Sequence, residues 1–341
     1  MLTRIQIKHA IKATLTQSST GSPGGEGART HVQVLANSLV ASLLLPLHAL
    51  TLWPTIPVSL THSRADGGKC FQYHAYPRAS DIFIVGVIAN YAAVAADTFS
   101  SELGILAKSQ PRLITAPWKA VPKGTNGGVT IEGIAAGALG ALIIGLAATL
   151  LAPFCQPSNE HYQMTPWDLA DKAKFVGFIT LVGTAGSLLD SLLGALLQAS
   201  VIDIHTGKVI EGAGGAKVPV HSAGSFHMKQ RAKVRASSLS TTEGAGAVAQ
   251  TSAYDPDARN GLKQRAGGKE ALGVEEPEGS ESRRRVVGLD LLSNNGVNLL
   301  MAATMSVVGM LGVCVLWDVS LADVVKEVRY AARELAFGAR K

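Results

Sequence analysis

The sequence predicts an all-α fold: a polytopic transmembrane helix bundle with a long disordered loop and a C-terminal amphipathic helix. Three observations carry this expectation. Charged residues make up only 16% of the 341-residue chain, against about 25% in globular domains. Five apolar runs approach the roughly 20 residues that cross a hydrocarbon core about 30 Å thick. Many of the 36 glycines fall within those runs, as in membrane helices that pack closely.

Taken in order, residues 1–33 form a polar N-terminal segment, rich in Gly, Ser and Pro over 18–27 and without the apolar core of a signal peptide. The first span is 34–53, interrupted by Pro46. A segment with His, Pro and aromatic residues, 54–81, leads to the second span, 82–106. The third span, 129–154, is rich in Gly and Ala, and the fourth is 175–202. These four make a membrane bundle over 34–202, which the last span, 296–317, completes. Between them, 203–295 is rich in Gly, Ser and Ala with little apolar patterning, and reads as a mostly disordered cytoplasmic insert. Its basic stretch Lys229–Arg235 is most simply solvated. Residues 318–341 are an amphipathic tail: Leu321, Val324, Val325, Val328, Ala331, Leu335 and Ala336 share one side, opposite Lys326, Arg329 and Arg333.

The net charge of +6 comes with no nucleic-acid motif, so the expected partner is the lipid bilayer and not nucleic acid. With five spans, residues 1–33, loop 107–128 and the insert lie on one side and hold 21 of the 31 Lys and Arg residues. That side is expected to be cytoplasmic, although the long insert supplies 13 of the 21 and long loops weigh less. A multi-pass protein of an endomembrane is the expectation. Cys70, Cys155 and Cys314 share no short spacing, which argues against a disulfide framework or a thiolate metal site.

The most informative residues are two aspartates inside apolar runs, Asp97 and Asp190. An ionised carboxylate in hydrocarbon costs about 2.5–3.5 kcal/mol on insertion scales, so such a residue faces protein or a wet cavity. On helices, Asn90, Ala93, Asp97, Ser101 and Gly104 share one face, and Gly183, Gly186, Asp190, Gly194 and Gln198 share another. Two such faces can pack closely and offer both carboxylates to one Mg²⁺, which takes few carboxylates plus phosphate oxygens. Asp97, Asp190 and Glu102 are the candidate catalytic residues, and Asp97, Asp190 and Glu132 the candidate metal ligands. Glycines in Gly124-Thr125-Asn126-Gly127-Gly128 can turn backbone N–H groups toward an anion, and Arg112, Lys119 and Lys123 supply phosphate-binding charge. Arg29, Asn37, Asn294, Asn295 and Asn298 complete the candidate set for a nucleoside triphosphate and a lipid-soluble phosphate. The topology brings all of them to one membrane face.

Structural alternatives stand beside each assignment. The aspartates can be hydrogen-bonded to neighbouring hydroxyls and amides. Gly124–Gly128 can be a tight turn with a helix cap. The basic residues of 107–128 can merely fix topology, and Asn294-Asn295 can cap a helix.

The motifs Gln33-Val-Leu-Ala-Asn37, Ala96-Asp97-Thr-Phe-Ser-Ser-Glu-Leu-Gly104, Pro111-Arg112-Leu-Ile, Val121-Pro-Lys-Gly-Thr-Asn-Gly-Gly-Val129, Gly186-Ser-Leu-Leu-Asp190-Ser-Leu-Leu-Gly194 and Asn294-Asn-Gly-Val-Asn298 resemble the transmembrane protein 19 family (domain of unknown function 92). The resemblance covers roughly 25–215 and 286–317. A plant branch is described as phytyl-phosphate kinase, so the resemblance implies an isoprenoid-phosphate kinase using a nucleoside triphosphate. Family members usually carry further apolar spans before the first motif, which makes a truncated gene model one expectation. Ser293 stands where an acidic residue is expected. An ion-coupled membrane transporter and a non-catalytic membrane protein are the alternative expectations.

Overall fold

The computed structural model describes residues 14–19, 30–51, 81–152, 168–212, 215–218, 283–317 and 319–338. Five helices among these are long and apolar enough to cross a membrane. They are α1 (His31–Thr51), α2 (Ile82–Gly104), α3 (Ile131–Leu151), α4 (Leu169–Leu197) and α5 (Asn294–Leu316), followed by α6 (Leu321–Gly338).

Short polar side chains start four of the spans. Thr30 and Gln33 form a reciprocal box at α1: the Thr30 N–H donates to Gln33 Oε1 at 2.8 Å and the Gln33 N–H to Thr30 Oγ1 at 3.4 Å. The Thr130 hydroxyl accepts from the Gly133 N–H, the Asp168 carboxylate from the Asp171 N–H, and the Ser293 hydroxyl from the Gly296 N–H. Ser293 therefore caps α5, and Asn294-Asn295 begin the helix rather than cap it. The fourth span starts earlier than the apolar pattern indicates, at Leu169 rather than 175, because the Asp168 cap carries the helix through Lys172 and the exposed Lys174. It stops at Leu197 rather than 202, because Ser200–Asp203 peel away as a strand.

Helix α2 is the hub, packing against α1, α3, α4 and α5. Lipid tails are as apolar as leucine, so close van der Waals packing rather than burial from water drives such association. Small residues permit it: a Cβ built at Gly186 of α4 would lie 2.5 Å from the Ala93 Cβ of α2. Phe175, Ile179, Val85 and Val313 fill the centre, whereas Leu43, Leu150, Leu181 and Val315 face outward. At the end of the bundle away from Asp97, His48 of α1 meets the buried Asp81 at 3.1 Å. Helix α6 lies against the bundle, with Val324 and Val328 beside Leu44 and the free thiol of Cys314.

The opposite end carries two small sheets that the all-α expectation omitted. Strands β2 (Arg112–Leu113), β3 (Ala116–Ala120) and β4 (Gly128–Val129) form an antiparallel sheet in the order β3-β2-β4. Strands β1 (Thr16–Ser18), β5 (Ser200–Asp203), β6 (Val209–Glu211) and β7 (Arg283–Val287) form a second, ordered β1-β6-β5-β7. Within it β1 runs parallel to β6, pairing Thr16 with Val209, and β7 runs antiparallel to β5, pairing Arg284 with Ile202. The flanks of the segment expected to be disordered, 203–212 and 283–292, are thus ordered structure. Its middle, including Lys229–Arg235, lies outside the described residues, as do Cys70, Cys155 and Arg29.

Candidate functional site

The spans alternate in direction, so the starts of α1, α3 and α5 meet the ends of α2 and α4 at one face. Together with the two sheets they enclose a cavity of about 320 Å³, at the lower end of the size range of small-molecule sites, about 300–1,000 Å³. Asp97 of α2 and Asp190 of α4 line it, and their carboxyl groups are in direct contact. The close approach at Gly186 makes that contact possible, since it lies one turn before Asp190 on the same face.

The amide of Asn298 lies between Asp190 and Asn37. Turned so that nitrogen faces the carboxylate, it donates to Asp190 Oδ1 at 3.2 Å and to the Asn294 carbonyl at 3.1 Å. In the opposite orientation the same nitrogen would instead donate to Asn37 Oδ1 at 3.3 Å. The Asn37 main-chain carbonyl in turn accepts from the Asn90 amide at 2.9 Å, about two turns deeper in the bundle than Asp97. A polar thread thus joins α1, α2, α4 and α5. Two adjacent carboxylates repel unless a proton or a cation lies between them. Among the described residues no three His, Cys, Asp or Glu side chains converge as a metal cage. A carboxylate pair with an amide beside it instead suits Mg²⁺, which keeps waters and phosphate oxygens in its remaining positions.

The other candidates divide. Glu102, Asn37, Asn294 and Asn298 line the cavity, as do Lys123 and the Gly124–Gly128 turn. Arg112 and Lys119 are not among its lining residues: both are exposed, and the Arg112 guanidinium donates to the Pro117 carbonyl at 3.0 Å. The reason is that 112–120 folds as a hairpin instead of a loop draped over the helix ends. Glu132 is also outside the lining; its carboxylate accepts from the Ser109 hydroxyl at 2.9 Å. It is thus separated from the aspartate pair it was expected to join. Asn295 is not a lining residue either and lies against Gly215.

Lys123 lines the cavity but points its ammonium at the end of α2, donating to the carbonyls of Ile105 (3.3 Å) and Ala107. A cation at a helix C-terminus satisfies orphan carbonyls and the helix dipole. The glycine turn is packed rather than open. Gly127 has φ +76°, and a Cβ there would come within 2.4 Å of the Ala195 Cβ on α4. The Asn126 N–H donates to Ser200 Oγ at 2.9 Å, and the Gly128 N–H to the Thr125 carbonyl. Several N–H groups expected to bind an anion thus serve the fold.

Sequence reasoning missed Glu211, Lys217 and Asp290, which line the cavity from the second sheet and its flanks. Lys217 donates to the carbonyls of Asp290 (3.0 Å) and Leu291 (2.9 Å), and its ammonium is 3.4 Å from the Asp290 carboxylate. No local periodicity marked these residues, because they come from the segment read as disordered.

The sequence profile of the integral membrane protein family DUF92 matches residues 1–306. The chain belongs to that family. Protein PGR of Arabidopsis thaliana is 38% identical to it over 179 residues, covering 51% of this chain and 54% of its own. An uncharacterized membrane protein of Methanocaldococcus jannaschii is 44% identical over 115 residues, covering 34% of this chain and 40% of its own. The matches thus span about half the length of these relatives or less. No solved structure matches the chain.

Proposed function

We propose that this DUF92 protein is a Mg²⁺-dependent membrane phosphotransferase that extends an isoprenyl phosphate to a diphosphate. The terminal phosphoryl group of a nucleoside triphosphate would pass to a phosphate oxygen of the acceptor, leaving a nucleoside diphosphate. The single observation that supports this most is the contact between Asp97 and Asp190 at the wall of a capped cavity where all five spans meet. The resemblance to a family with a phytyl-phosphate kinase branch supplies the acceptor class.

The charge of the cavity favours a metal-bound phosphate over a bare one. Asp97, Glu102, Asp190, Glu211 and Asp290 outnumber Lys123 and Lys217, and both ammonium groups are engaged with carbonyls. Phosphoryl transfer needs positioning and charge neutralisation more than covalent help. Asp97 and Asp190 would hold the metal, which supplies that neutralisation; Asn298 fixes Asp190, and Glu102 stands at the cavity wall to accept the proton of the acceptor phosphate. The alkyl chain of the acceptor would remain in the bilayer.

A second reading, an ion-coupled carrier, is favoured by one observation. Asn90 Oδ1 and Ser306 Oγ lie fully buried below the carboxylates without a hydrogen-bond partner among the described residues. The deciding experiment incubates the purified full chain with Mg²⁺, CTP or ATP, and labelled phytyl or geranylgeranyl phosphate. Diphosphate formation that Asp97→Asn abolishes supports the phosphotransferase. No turnover, with solute flux in liposomes that the same substitution stops, supports the carrier.

A further inference from the structure

The hairpin of β2 and β3 carries the most exposed tryptophan among the described residues: Trp118 is 81% exposed. It stands at the cavity end of the bundle, between the last turn of α2 and the first residue of α3. Leu103, Leu106 and Ile131 at that level are 44%, 40% and 84% exposed. Such a collar of bare apolar side chains marks the edge of the hydrocarbon, and the hairpin projects just beyond it. Tryptophan is enriched at this depth, where its ring meets the acyl boundary and its N–H the headgroups.

The surroundings of Trp118 are cationic. Lys108, Arg112 and Lys119 are all exposed. The Glu132 carboxylate, which accepts from the Ser109 hydroxyl, is one negative charge against these three cations, and the Arg112 contact with the neutral Pro117 carbonyl leaves its charge uncompensated. Addition of a further strand is disfavoured even though β3 is an edge strand. Pro117 has no N–H to offer and Lys119 brings charge, the two devices that blunt an open edge.

We propose that this hairpin is an anchor for anionic phospholipid headgroups, with Trp118 seated at the interface and Lys119, Arg112 and Lys108 on lipid phosphate. The anchor bears on the cavity. Strand β3 runs into Val121, which is buried with Leu113 and Ala195, and then into the Gly124–Gly128 turn that lines the cavity wall. Binding at the hairpin therefore fixes that wall relative to the membrane surface. The proposal does not depend on the phosphotransferase reading.

The test uses the full chain in nanodiscs of phosphatidylcholine, with or without phosphatidylglycerol. The emission difference between the wild type and Trp118→Phe isolates this ring from the other three tryptophans. Lipids brominated near the glycerol should quench it and aqueous acrylamide should not, with deeper lipid quenching when phosphatidylglycerol is present. Lys119→Ala should weaken the phosphatidylglycerol dependence about fivefold, and Lys119→Arg should restore it. Quenching by acrylamide instead of brominated lipid overturns the proposal and marks the hairpin as a surface for a soluble partner. Lipid quenching indifferent to phosphatidylglycerol overturns the anionic-headgroup assignment.

Discussion

The Asn298 amide nitrogen, facing Asp190, donates to its Oδ1 at 3.2 Å, so the last span steadies a carboxylate carried by the fourth. A hydrogen bond to a charged group contributes about 1.5–3 kcal/mol. Asn298→Ala is therefore expected to weaken Mg²⁺ activation roughly 10- to 100-fold. A Mg²⁺ titration of turnover checks this. An unchanged half-activating concentration would separate Asn298 from the metal.

Packing at Gly186 decides whether the two aspartates meet. A methyl group there must displace Ala93 of α2, and overpacking of this kind costs about 1–3 kcal/mol. Gly186→Ala should lower the unfolding temperature in detergent and reduce activity together. Gly177 lies on the same helix with nothing within 4 Å of its Cβ position. Gly177→Ala should stabilise by about 0.5–1 kcal/mol through helix propensity alone. If both substitutions shift stability alike, close packing of α4 on α2 is not what joins the site.

Lys123 tests a structural against a ligand-binding role. As the cap of α2 it should contribute about 0.3–1 kcal/mol, so Lys123→Met should fray the helix end. Hydrogen exchange at 103–107 reads this directly. Protection unchanged in the variant would return Lys123 to the phosphate-binding set.

Asp168 provides a pH test. The Asp171 N–H that its carboxylate accepts, above its other surroundings, holds Asp168 below the ordinary carboxylate range. A depressed folded value means that the cap stabilises the ionised form. The contribution is complete above the ordinary carboxylate range and disappears as pH falls through the lowered value. Protection of amides 169–172, measured relative to their intrinsic exchange rates, should therefore fall on acidification in the wild type. In Asp168→Asn, whose amide oxygen caps without titrating, that protection should not respond. The same acid response in both proteins would contradict the cap.

The spans and the aspartate pair were legible in the sequence because hydrocarbon tolerates so little charge: Asp97 and Asp190 had to face something polar. The cap over the site was not. Its larger sheet joins Thr16 to Val209 and Ile202 to Arg284, pairings of a few residues across long stretches of chain that leave no periodicity. Lys217 and Asp290 were hidden for that reason. Arg112 and Lys119 were misplaced for another: composition shows the charge in 107–128, but only the β2–β3 turn decides which way it points. Ser293, which stands where the resemblance leads one to expect an acidic residue, caps α5 through its hydroxyl, a role that an aspartate there would fill as well.

The proposed phosphotransferase depends on Asp97 and Asp190 holding one divalent cation between them. Mn²⁺ binding to the purified chain, followed by electron paramagnetic resonance for the wild type, Asp97→Asn, Asp190→Asn and the double variant, tests it most directly. One site, lost to either single substitution and weakened no further by the second, is the predicted result. Undiminished Mn²⁺ binding in both single variants would contradict it.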